Sequence, residues 1–302
     1  MGDPRPIGFF DSGVGGLTVL REVIRRLPGE DTLYLGDNAR TPYGPRTDVE
    51  VLRYSSECLD ELAGRDVKAI VVACNTSTAV ALPSLRRRYA VPILGVVRPG
   101  ATAAVLATRT RTVGVIATPA TVRSHAYFEA IKEEDPFVEV YEHATPELVP
   151  LVEAGQLEGP VVEEAIRRSL APLLGSQAVA EGGSGEGSFV FPMPSGARID
   201  TLLLGCTHYP LLGAVIRSVV GPGTAVIDSA TATASALASL VEVHDLATPH
   251  REHGRHVLLT TGEVDAFSIT ATRLFGPALG PVDGIDVGPV GETGRAAVVP
   301  VG

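Results

Sequence analysis

The sequence has few cysteines, no tryptophan and no long run of apolar residues. Three of its 302 residues are cysteines. An odd number of cysteines in a chain of this length does not form a disulfide framework, so we expect reduced thiols and a cytoplasmic protein. The stretch nearest to a membrane span, residues 101–118, is interrupted by Arg109 and Arg111. No transmembrane helix is therefore predicted, and the first residues do not have the pattern of a signal peptide.

Basic residues are also fewer than acidic residues. The chain carries 25 Lys+Arg against 35 Asp+Glu, a formal net charge of −10. Proteins that bind nucleic acids normally present a basic surface, so this balance argues against direct nucleic-acid binding. It does not exclude a local basic patch around a small anion. The length predicts two domains or one large α/β domain, with core enough to need no disulfides.

Short β-branched runs alternate along the chain with amphipathic helical segments. This alternation is typical of βαβ units and predicts an α/β fold with mainly parallel sheets flanked by helices. Two Gly-rich segments depart from it: residues 175–198 are predicted to be a flexible insertion, and residues 275–302 a tail. Strands are predicted at 6–10, 32–36, 69–73, 93–97, 112–116, 138–141, 201–205, 225–228 and 256–261, and helices at 17–27, 47–65, 78–89, 121–134, 160–174, 211–219 and 231–241.

Two cysteines occur in matching contexts. Cys74 in IVVACNTSTA and Cys206 in TLLLGCTHYP each follow an apolar strand and stand where a helix is predicted to begin. The carboxyl end of a parallel strand is where α/β proteins bind ligands, and the N–H groups of a helix start stabilise a thiolate. A lone cysteine is more often a small buried apolar residue. Cys58, in a helical pattern with no polar partner motif, is interpreted in that way.

Three kinds of chemistry remain open for the pair. Zinc binding has weak support, because Cys206 and His208 are the only close Cys/His pair and no CxxC or HxxxH motif occurs. A protease-type Cys–His pair would leave Cys74 unexplained. A two-base reaction uses both thiols, since one removes a proton from a substrate carbon and the other returns a proton to its opposite side. A free thiol has a pKa of about 8.5, so a modest shift would supply thiolate at neutral pH.

Further polar residues follow other predicted strands. Asp11 and Ser12 begin the turn DSGVGG, which matches neither the dinucleotide-binding GxGxxG pattern nor a Walker A loop. Asp11 is interpreted as a helix N-cap or as a functional residue, and Asp37 as a loop or capping residue. Tyr43 and Gly44 form a turn that offers a backbone N–H to a carboxylate.

The last candidates lie in the second half of the pattern. Thr118 and Thr121 follow a strand, and Thr121 has the position of an N-cap, although hydroxyls at a helix start also hold carboxylates. Glu153 taken by itself is a solvated helix residue, whereas His208 beside Cys206 favours a polar site. No motif for pyridoxal phosphate, NAD or a metal is found, so no cofactor is expected. Hydrogen bonds and the exclusion of water would then have to stabilise a carbanion-like state.

Five segments in this order resemble the glutamate racemase family: FFDSGVGGLTVL, YLGDNARTPYGPR, VVACNTSTA, VGVIATPATVRS and LLLGCTHYPLL. The resemblance implies a cofactor-independent isomerase that interconverts L- and D-glutamate and supplies D-glutamate for peptidoglycan. It also implies two similar α/β domains, residues 1–98 plus 208–274 and residues 99–207, with the active site in the cleft between them.

The resemblance also implies roles for single residues. Cys74 would be the base toward D-glutamate and Cys206 the base toward L-glutamate. Asp11, Glu153 and His208 would be auxiliary acid–base residues. The glutamate-binding positions implied in this way are Asp11, Ser12, Tyr43, Gly44, Asn75, Thr76, Thr118, Thr121, Thr207 and His208.

Partners and alternatives follow from the same comparison of motifs. The family resemblance implies glutamate as ligand, and a homodimer is expected; the lack of a predicted transmembrane helix implies no membrane association. Some members of the family also bind DNA gyrase, and for this chain such binding is expected by analogy alone. One alternative is a racemase of aspartate or of a hydantoin with the same two-cysteine design. Another is a thiol hydrolase that uses Cys206 and His208.

Overall fold

The computed structural model describes residues 2–174, 198–249, 252–276 and 280–288. The strands are β1 Ile7–Asp11, β2 Thr32–Gly36, β3 Ala69–Val72, β4 Ile93–Gly95, β5 Thr112–Ala117, β6 Glu139–Ala144, β7 Thr201–Gly205, β8 Ala225–Asp228, β9 His256–Thr260 and β10 Val282–Gly284. The α-helices are α1 Leu17–Arg26, α2 Asp48–Gly64, α3 Asn75–Arg88, α4 Val97–Ala107, α5 Pro119–Ser124, α6 Ala126–Glu134, α7 Leu148–Glu153, α8 Pro160–Leu170, α9 Gly213–Val220, α10 Ser229–Val243 and α11 Val264–Phe275.

The chain divides into two compact units. The first comprises Met1–Val96 and Ala230–Gly302, and the second comprises Val97–Ser229. In the first unit, six parallel strands form one sheet in the order β10-β9-β2-β1-β3-β4. In the second, four parallel strands form a sheet in the order β6-β5-β7-β8. The predicted α/β fold with parallel sheets is confirmed.

The two sheets share an arrangement of strands. If the strands of each unit are numbered one to four along the chain, both sheets have the spatial order 2-1-3-4. These strands are β2-β1-β3-β4 in the first sheet and β6-β5-β7-β8 in the second. Cys74 follows the third strand of one sheet, and Cys206 follows the third strand of the other. The matching sequence contexts of these two cysteines therefore correspond to matching places in the topology.

The unit boundary after the second cysteine differs from the expectation. The chain leaves the first unit after Val96, close to the expected residue 98, but returns at Ala230 and not at residue 208. The reason is the pairing of β8 with β7, in which Leu204 lies opposite Asp228. Because of this pairing, the segment that follows Cys206 completes the second sheet before the chain returns.

Each sheet is buried on both faces, as parallel sheets require. Alternate side chains of β1 point to opposite faces, so Phe9 packs with Leu17 and Leu20 of α1 while Phe10 packs with Leu59 and other residues of α2. Apolar residues likewise cover both faces of the second sheet. On one face α4 and α6 pack against Val113 and Leu203, and on the other α8 packs against Ile116 and Leu202.

Several elements differ from the sequence prediction. Helices α4, α7 and α11 and strand β10 were not predicted, and β10 places residues 282–284 of the expected tail in the first sheet. The predicted helix 121–134 is two helices, because His125 has a left-handed backbone (φ 54°) between α5 and α6. Apart from Arg198, the expected flexible insertion 175–198 lies outside the described residues. Among the described helices, none has the length and apolar character needed to span a membrane.

Candidate active site

Within each unit, predicted polar residues lie at the carboxyl ends of neighbouring central strands. In open α/β sheets, ligands bind where the order of strands reverses, at the carboxyl ends of neighbouring strands. In the first sheet this point lies between β1 and β3, where the N–H groups of Ala73 and Cys74 approach the carbonyl of Phe10 at 2.8 and 3.4 Å. Asp11 and Ser12 therefore lie beside Cys74.

Cys74 is the N-cap of α3. Its Sγ accepts a hydrogen bond from the backbone N–H of Ser77 at 3.4 Å, and its thiol donates to Oγ of Ser12 at 3.5 Å. Burial of the thiol and then the nearby Asp11 carboxylate raise the pKa of Cys74 to about 11. The N–H of Ser77 and the Ser12 hydroxyl, which can donate to the sulfur once it is a thiolate, act in the lowering direction. The modest shift toward thiolate that the sequence suggested is therefore wrong for Cys74, which is protonated at neutral pH.

Asp11 ends β1 as a fully buried carboxylate. Its Oδ2 accepts a hydrogen bond from the N–H of Gly13 at 3.0 Å. The N-cap of α1 is Gly16, so the N-cap interpretation of Asp11 is wrong. A Cβ at Gly16 would lie 2.5 Å from Cβ of Asp11, a contact that no side chain tolerates. Gly16 thus allows the turn to fold closely over Asp11.

The first unit holds four more of the predicted glutamate-binding residues: Asn75, Thr76, Tyr43 and Gly44. Asn75 and Thr76 are buried in the first turn of α3, directly after Cys74. The Tyr43 side chain is also buried, and its hydroxyl donates to the Asp37 carboxylate. A ligand at this turn would accordingly meet the backbone of Tyr43 and Gly44 and not the phenol.

Cys206 has different partners. Nδ1 of His208 lies 3.8 Å from Sγ of Cys206, and Nε2 of the same ring lies 2.6 Å from Oε1 of Glu153. His208 is 3% exposed. Burial alone would lower its pKa, but the hydrogen bonds and negative charge from Cys206 and Glu153 outweigh burial and raise it well above the usual 6.5. The imidazole is thus held in its charged form between two acidic groups.

Two local expectations for this group are corrected. Glu153, at the end of α7, is only partly solvated: its side chain is 29% exposed, and its carboxylate contacts the ring of His208. Cys206 is not at a helix start either: a short 3₁₀ helix, Tyr209–Leu212, follows, and α9 begins only at Gly213. The intervening turn lets His208 lie next to the thiol two residues before it.

Threonine hydroxyls follow β5, the strand beside β7. Thr118 is the N-cap of α5, and its Oγ1 accepts a hydrogen bond from the N–H of Thr121 at 3.4 Å. The N-cap interpretation of Thr121 is therefore wrong. The two hydroxyl oxygens lie 3.0 Å apart. Because Ala117 is paired with Gly205, these threonines and the turn that carries Cys206 and Thr207 begin at neighbouring strand ends.

This arrangement of thiols, acid–base partners and hydroxyls can be compared with known proteins. A sequence model of the family described as Asp/Glu/Hydantoin racemase matches residues 8–182. A glutamate racemase of Streptococcus gordonii is 40% identical over 91% of this chain and 96% of its own length. The crystal structure of a glutamate racemase isoform from Bacillus anthracis has a TM-score of 0.84 at 37% identity, covering 94% of this chain and 98% of its own. One from Francisella tularensis, in complex with D-glutamate, has a TM-score of 0.81 at 29% identity, with 94% and 98% covered.

The chain belongs to the Asp/Glu/Hydantoin racemase family. In this racemase-family chain, the predicted site residues form two groups, one in each unit. The first contains Asp11, Ser12, Tyr43, Gly44, Cys74, Asn75 and Thr76, and the second contains Thr118, Thr121, Glu153, Cys206, Thr207 and His208.

Two residues that hold the turn after β7, Tyr209 and Thr145, are not among the residues predicted from the sequence. The hydroxyl of Tyr209 donates to the carbonyl of Thr145 at 3.0 Å, and Oγ1 of Thr145 donates to the Tyr209 hydroxyl at 2.7 Å. The N–H of Thr145 donates to Ala117 at 2.9 Å, which ties the turn after β7 to the ends of β5 and β6. The neighbouring motif GCTHYP could have drawn attention to Tyr209, but no local signal marks Thr145.

Cys58 also differs from its interpretation. It is buried as expected, but its Sγ lies 3.6 Å from Nη2 of Arg40, so it does have a polar partner. Burial and the nearby Asp37 carboxylate raise the pKa of this thiol well above its usual value. Among the described residues, no cluster of three or more His, Cys, Asp and Glu side chains is arranged to hold a metal ion.

Proposed function

We propose that this protein is a glutamate racemase that interconverts L- and D-glutamate without a cofactor. The observation that carries the proposal is the pair of buried thiols. Cys74 and Cys206 follow the corresponding third strands of two parallel sheets, and each has its own acid–base companions. Inversion at a carbon needs a base on one face and an acid on the other, and a matched pair of thiols meets that need.

The charge states favour one assignment of roles at the start of a turnover. Cys74 is a thiol, because burial and Asp11 raise its pKa. Nδ1 of His208 lies 3.8 Å from Sγ of Cys206, so the ring is placed to exchange a proton with that thiol. The Cys206 thiolate takes the Cα proton of L-glutamate and becomes a thiol. The Cys74 thiol gives its proton to the opposite face of Cα and becomes a thiolate, so D-glutamate leaves an enzyme with the protonation states exchanged.

The reverse reaction starts from that exchanged state. The Cys74 thiolate removes the Cα proton of D-glutamate, and the Cys206 thiol returns one on the other face. Asp11 and the Glu153–His208 pair are suited to moving protons between the thiols and solvent when the states must be reset. No electron or group is transferred in either direction, so the cycle consumes no co-reactant.

The acidity of Cα–H is low, so the developing negative charge must be stabilised. The side chains of Asn75 and Thr76 stand at the start of α3, a 14-residue helix whose N-terminal N–H groups favour an anion. The hydroxyls of Thr118 and Thr121 offer further donors. We assign these groups to the carboxylates of the substrate, where donors fixed in advance stabilise charge without reorganisation.

Racemisation itself tests the proposal. The purified protein, dialysed against a chelator and given no cofactor, is incubated with L-glutamate or D-glutamate while circular dichroism is followed. The expected result is loss of the signal from either enantiomer. Aspartate and hydantoins form parallel arms, and faster racemisation of one of them would reassign the substrate. Loss of activity with chelator and recovery with zinc would overturn the cofactor-independent mechanism.

A thiol hydrolase is the second candidate, because Cys206, His208 and Glu153 are arranged like a catalytic triad. Cys206 would be the nucleophile, His208 the base, and Glu153 the acid that orients the ring. It requires a covalent acyl-enzyme on Cys206, visible by mass spectrometry, and activity that survives replacement of Cys74. Both findings together would favour hydrolysis over racemisation.

The cellular role is proposed to be the supply of D-glutamate for peptidoglycan by a cytoplasmic homodimer. The predicted reduced thiols and the family resemblance support this proposal. Growth of a D-glutamate-requiring bacterium that expresses the protein tests the role, and light scattering of the purified protein tests the dimer. Binding to DNA gyrase is proposed by analogy with the family alone, and it is tested by measuring complex formation between the two purified proteins.

A further inference from the structure

A network of buried charges lies beneath the Tyr43–Gly44 turn. Its centre is Asp37, which directly follows β2 and is fully buried. Oδ2 of Asp37 accepts hydrogen bonds from Nε of Arg40 at 2.7 Å and from the hydroxyl of Tyr43. Oδ1 accepts a hydrogen bond from Oγ1 of Thr261 at 2.7 Å. This carboxylate therefore joins the segment that carries the turn to the ends of β2 and β9.

Arg40 extends the network to α2. Its Nη1 forms an ion pair with Glu57, and Nη2 contacts Sγ of Cys58 at 3.6 Å. The guanidinium also lies over the ring of Tyr54, 4.4 Å from its centroid. The Arg40 side chain is 19% exposed and contacts two carboxylates and an aromatic ring at once. The single ammonium group of a lysine could not contact all three.

The charges of the network depend on Arg40. The side chain of Asp37 is 0% exposed and that of Glu57 is 13% exposed, and Arg40 is an ion-pair partner of both. Removing one partner of a buried ion pair leaves an uncompensated charge, which costs far more than the pair contributed. Without Arg40, the two carboxylates would repel each other and draw in water, and the segment between Asp37 and α2 would have to move.

The turn itself is held by its own side chains. The Tyr43 ring is 1% exposed and packs 6.3 Å from the ring of Phe10 and 5.8 Å from that of Tyr54. The N–H of Arg46 donates to the carbonyl of Tyr43 at 3.0 Å, and its Nη2 donates to the carbonyl of Arg40 at 3.3 Å. The buried Tyr43 ring thus fixes the position of the turn, and the peptide groups of the turn remain to contact a substrate.

We propose that Arg40 is a positioning residue for substrate binding, which, through Asp37 and Glu57, holds the Tyr43–Gly44 backbone where it contacts glutamate. This inference rests on the proposed glutamate racemase function. Arg40 acts through the turn and does not touch the reacting thiols. Its loss therefore weakens the hold on glutamate more than it slows the proton transfers.

The expected signature is a split between KM and kcat. Displacement of the turn raises KM for both enantiomers by about tenfold, while kcat stays within about threefold, because an interaction lost equally from ground state and transition state changes KM alone. L- and D-glutamate have the same free energy, so kcat/KM falls by the same factor in both directions.

The experiment compares Arg40→Met, Arg40→Lys and Glu57→Gln with the control Arg53→Met. Arg53 also lies over the Tyr54 ring, 4.9 Å from its centroid, and tests for the loss of a cation on that ring. KM and kcat are measured from each enantiomer, D-glutamate affinity by calorimetry, and folding by thermal unfolding. The expected order of KM is Arg40→Met above Arg40→Lys above Glu57→Gln, with Arg53→Met equal to the unsubstituted protein.

Unchanged KM and D-glutamate affinity in Arg40→Met, whatever its thermal stability, would overturn the inference, and so would an equal rise of KM in Arg53→Met. If Arg40→Met does not fold, the same criterion applies to Arg40→Lys and Glu57→Gln, which keep charge or shape. Failure of the proposed function is distinguished from these outcomes, because then the unsubstituted protein itself would not racemise glutamate.

Discussion

Cys74 and Cys206 occupy the same place in two sheets of the same strand order, but their surroundings differ chemically. Cys74 contacts a hydroxyl and a backbone N–H and lies near a buried carboxylate, which with burial keeps it a thiol. Cys206 contacts the imidazole of His208, whose pKa the hydrogen bonds to Cys206 and to Glu153 raise against the effect of burial. The comparison teaches that strand topology decides where a thiol lies, while the residues around it decide which charges and hydrogen bonds it meets.

The cause of the difference is the path of the chain after each strand. After β3 the chain enters α3 at once, so Cys74 becomes the N-cap and Ser77 turns its N–H toward the sulfur. After β7 a turn and a 3₁₀ helix precede α9, which leaves His208 free to fold back beside Cys206. An otherwise symmetric pair of units thus presents one neutral thiol and one thiol with a cationic neighbour.

The largest effect is expected from removing either thiol. Cys74→Ala and Cys206→Ala should each lower kcat in both directions by about 10³-fold or more, since each direction needs one acid and one base. Circular dichroism of the substrate measures the rate, and far-ultraviolet dichroism of the protein controls for folding. Near-full racemisation by Cys74→Ala in both directions would remove the two-base assignment and leave Cys206 with His208 as the site.

Replacement by serine should separate the two thiols. The pKa of a serine hydroxyl is far higher than that of a thiol, so almost no alkoxide is present at neutral pH to act as a base. The hydroxyl can still donate a proton, so abstraction becomes the slow step in one direction only. Since kcat/KM must fall equally in both directions, the difference is sought in isotope effects. With substrates deuterated at Cα, Cys74→Ser should show the larger effect from D-glutamate, and Cys206→Ser from L-glutamate.

Equal isotope effects in the two directions for both serine variants would contradict separate roles for the thiols. The unsubstituted protein, measured with the same deuterated substrates, is the control. A loss of thermal stability with similar isotope effects would mean that the thiols serve packing and not proton transfer.

The charged imidazole beside Cys206 gives a pH test. Because the pKa of His208 is raised above the usual 6.5, the stability from its charged form is fully present below that pH and is lost as pH rises through the higher folded value. Glu153→Gln should lower the folded pKa, so this loss begins at lower pH, and kcat/KM should fall about 10- to 100-fold as one charged hydrogen bond is lost.

The pH dependence is measured in parallel as thermal stability and as kcat/KM between neutral and alkaline pH. In both, the alkaline limb should move to lower pH in Glu153→Gln than in the unsubstituted protein. An alkaline limb that does not move would show that Glu153 does not control the charge of His208.

The smallest effect is expected at the hydroxyl beside Cys74. Ser12→Ala removes the hydroxyl that can donate to the Cys74 thiolate and so lowers the pKa of Cys74; this pKa should therefore rise further, and kcat at neutral pH should fall about threefold. Ser12→Thr keeps a hydroxyl and serves as the matched control. The shift is measured by titrating the thiol through the absorbance of its thiolate form. An unchanged titration in Ser12→Ala would show that Ser12 does not affect the pKa of Cys74.

Much of the fold could be predicted because periodicity is a local property. The strands 32–36, 201–205 and 225–228 were predicted with the bounds that β2, β7 and β8 have, since each is a short run of sheet-forming residues between polar turns. Helix α4 was not predicted, because its sequence VRPGATAAVLA contains proline and glycine. Strand β10 has only three residues, and its place depends on pairing with β9, which no local pattern can show.

The sequence by itself determined the α/β class, the positions of the two thiols at strand ends and the polar residues next to them, because these depend on runs of a few neighbouring residues. The tertiary structure alone decided which partners surround those residues. Glu153 reaches His208 across 55 positions of sequence, and Arg40 meets Glu57 from a different element. Burial and charge pairing depend on which distant segments pack together, so the raised pKa values of Cys74 and His208 arise only in the folded chain.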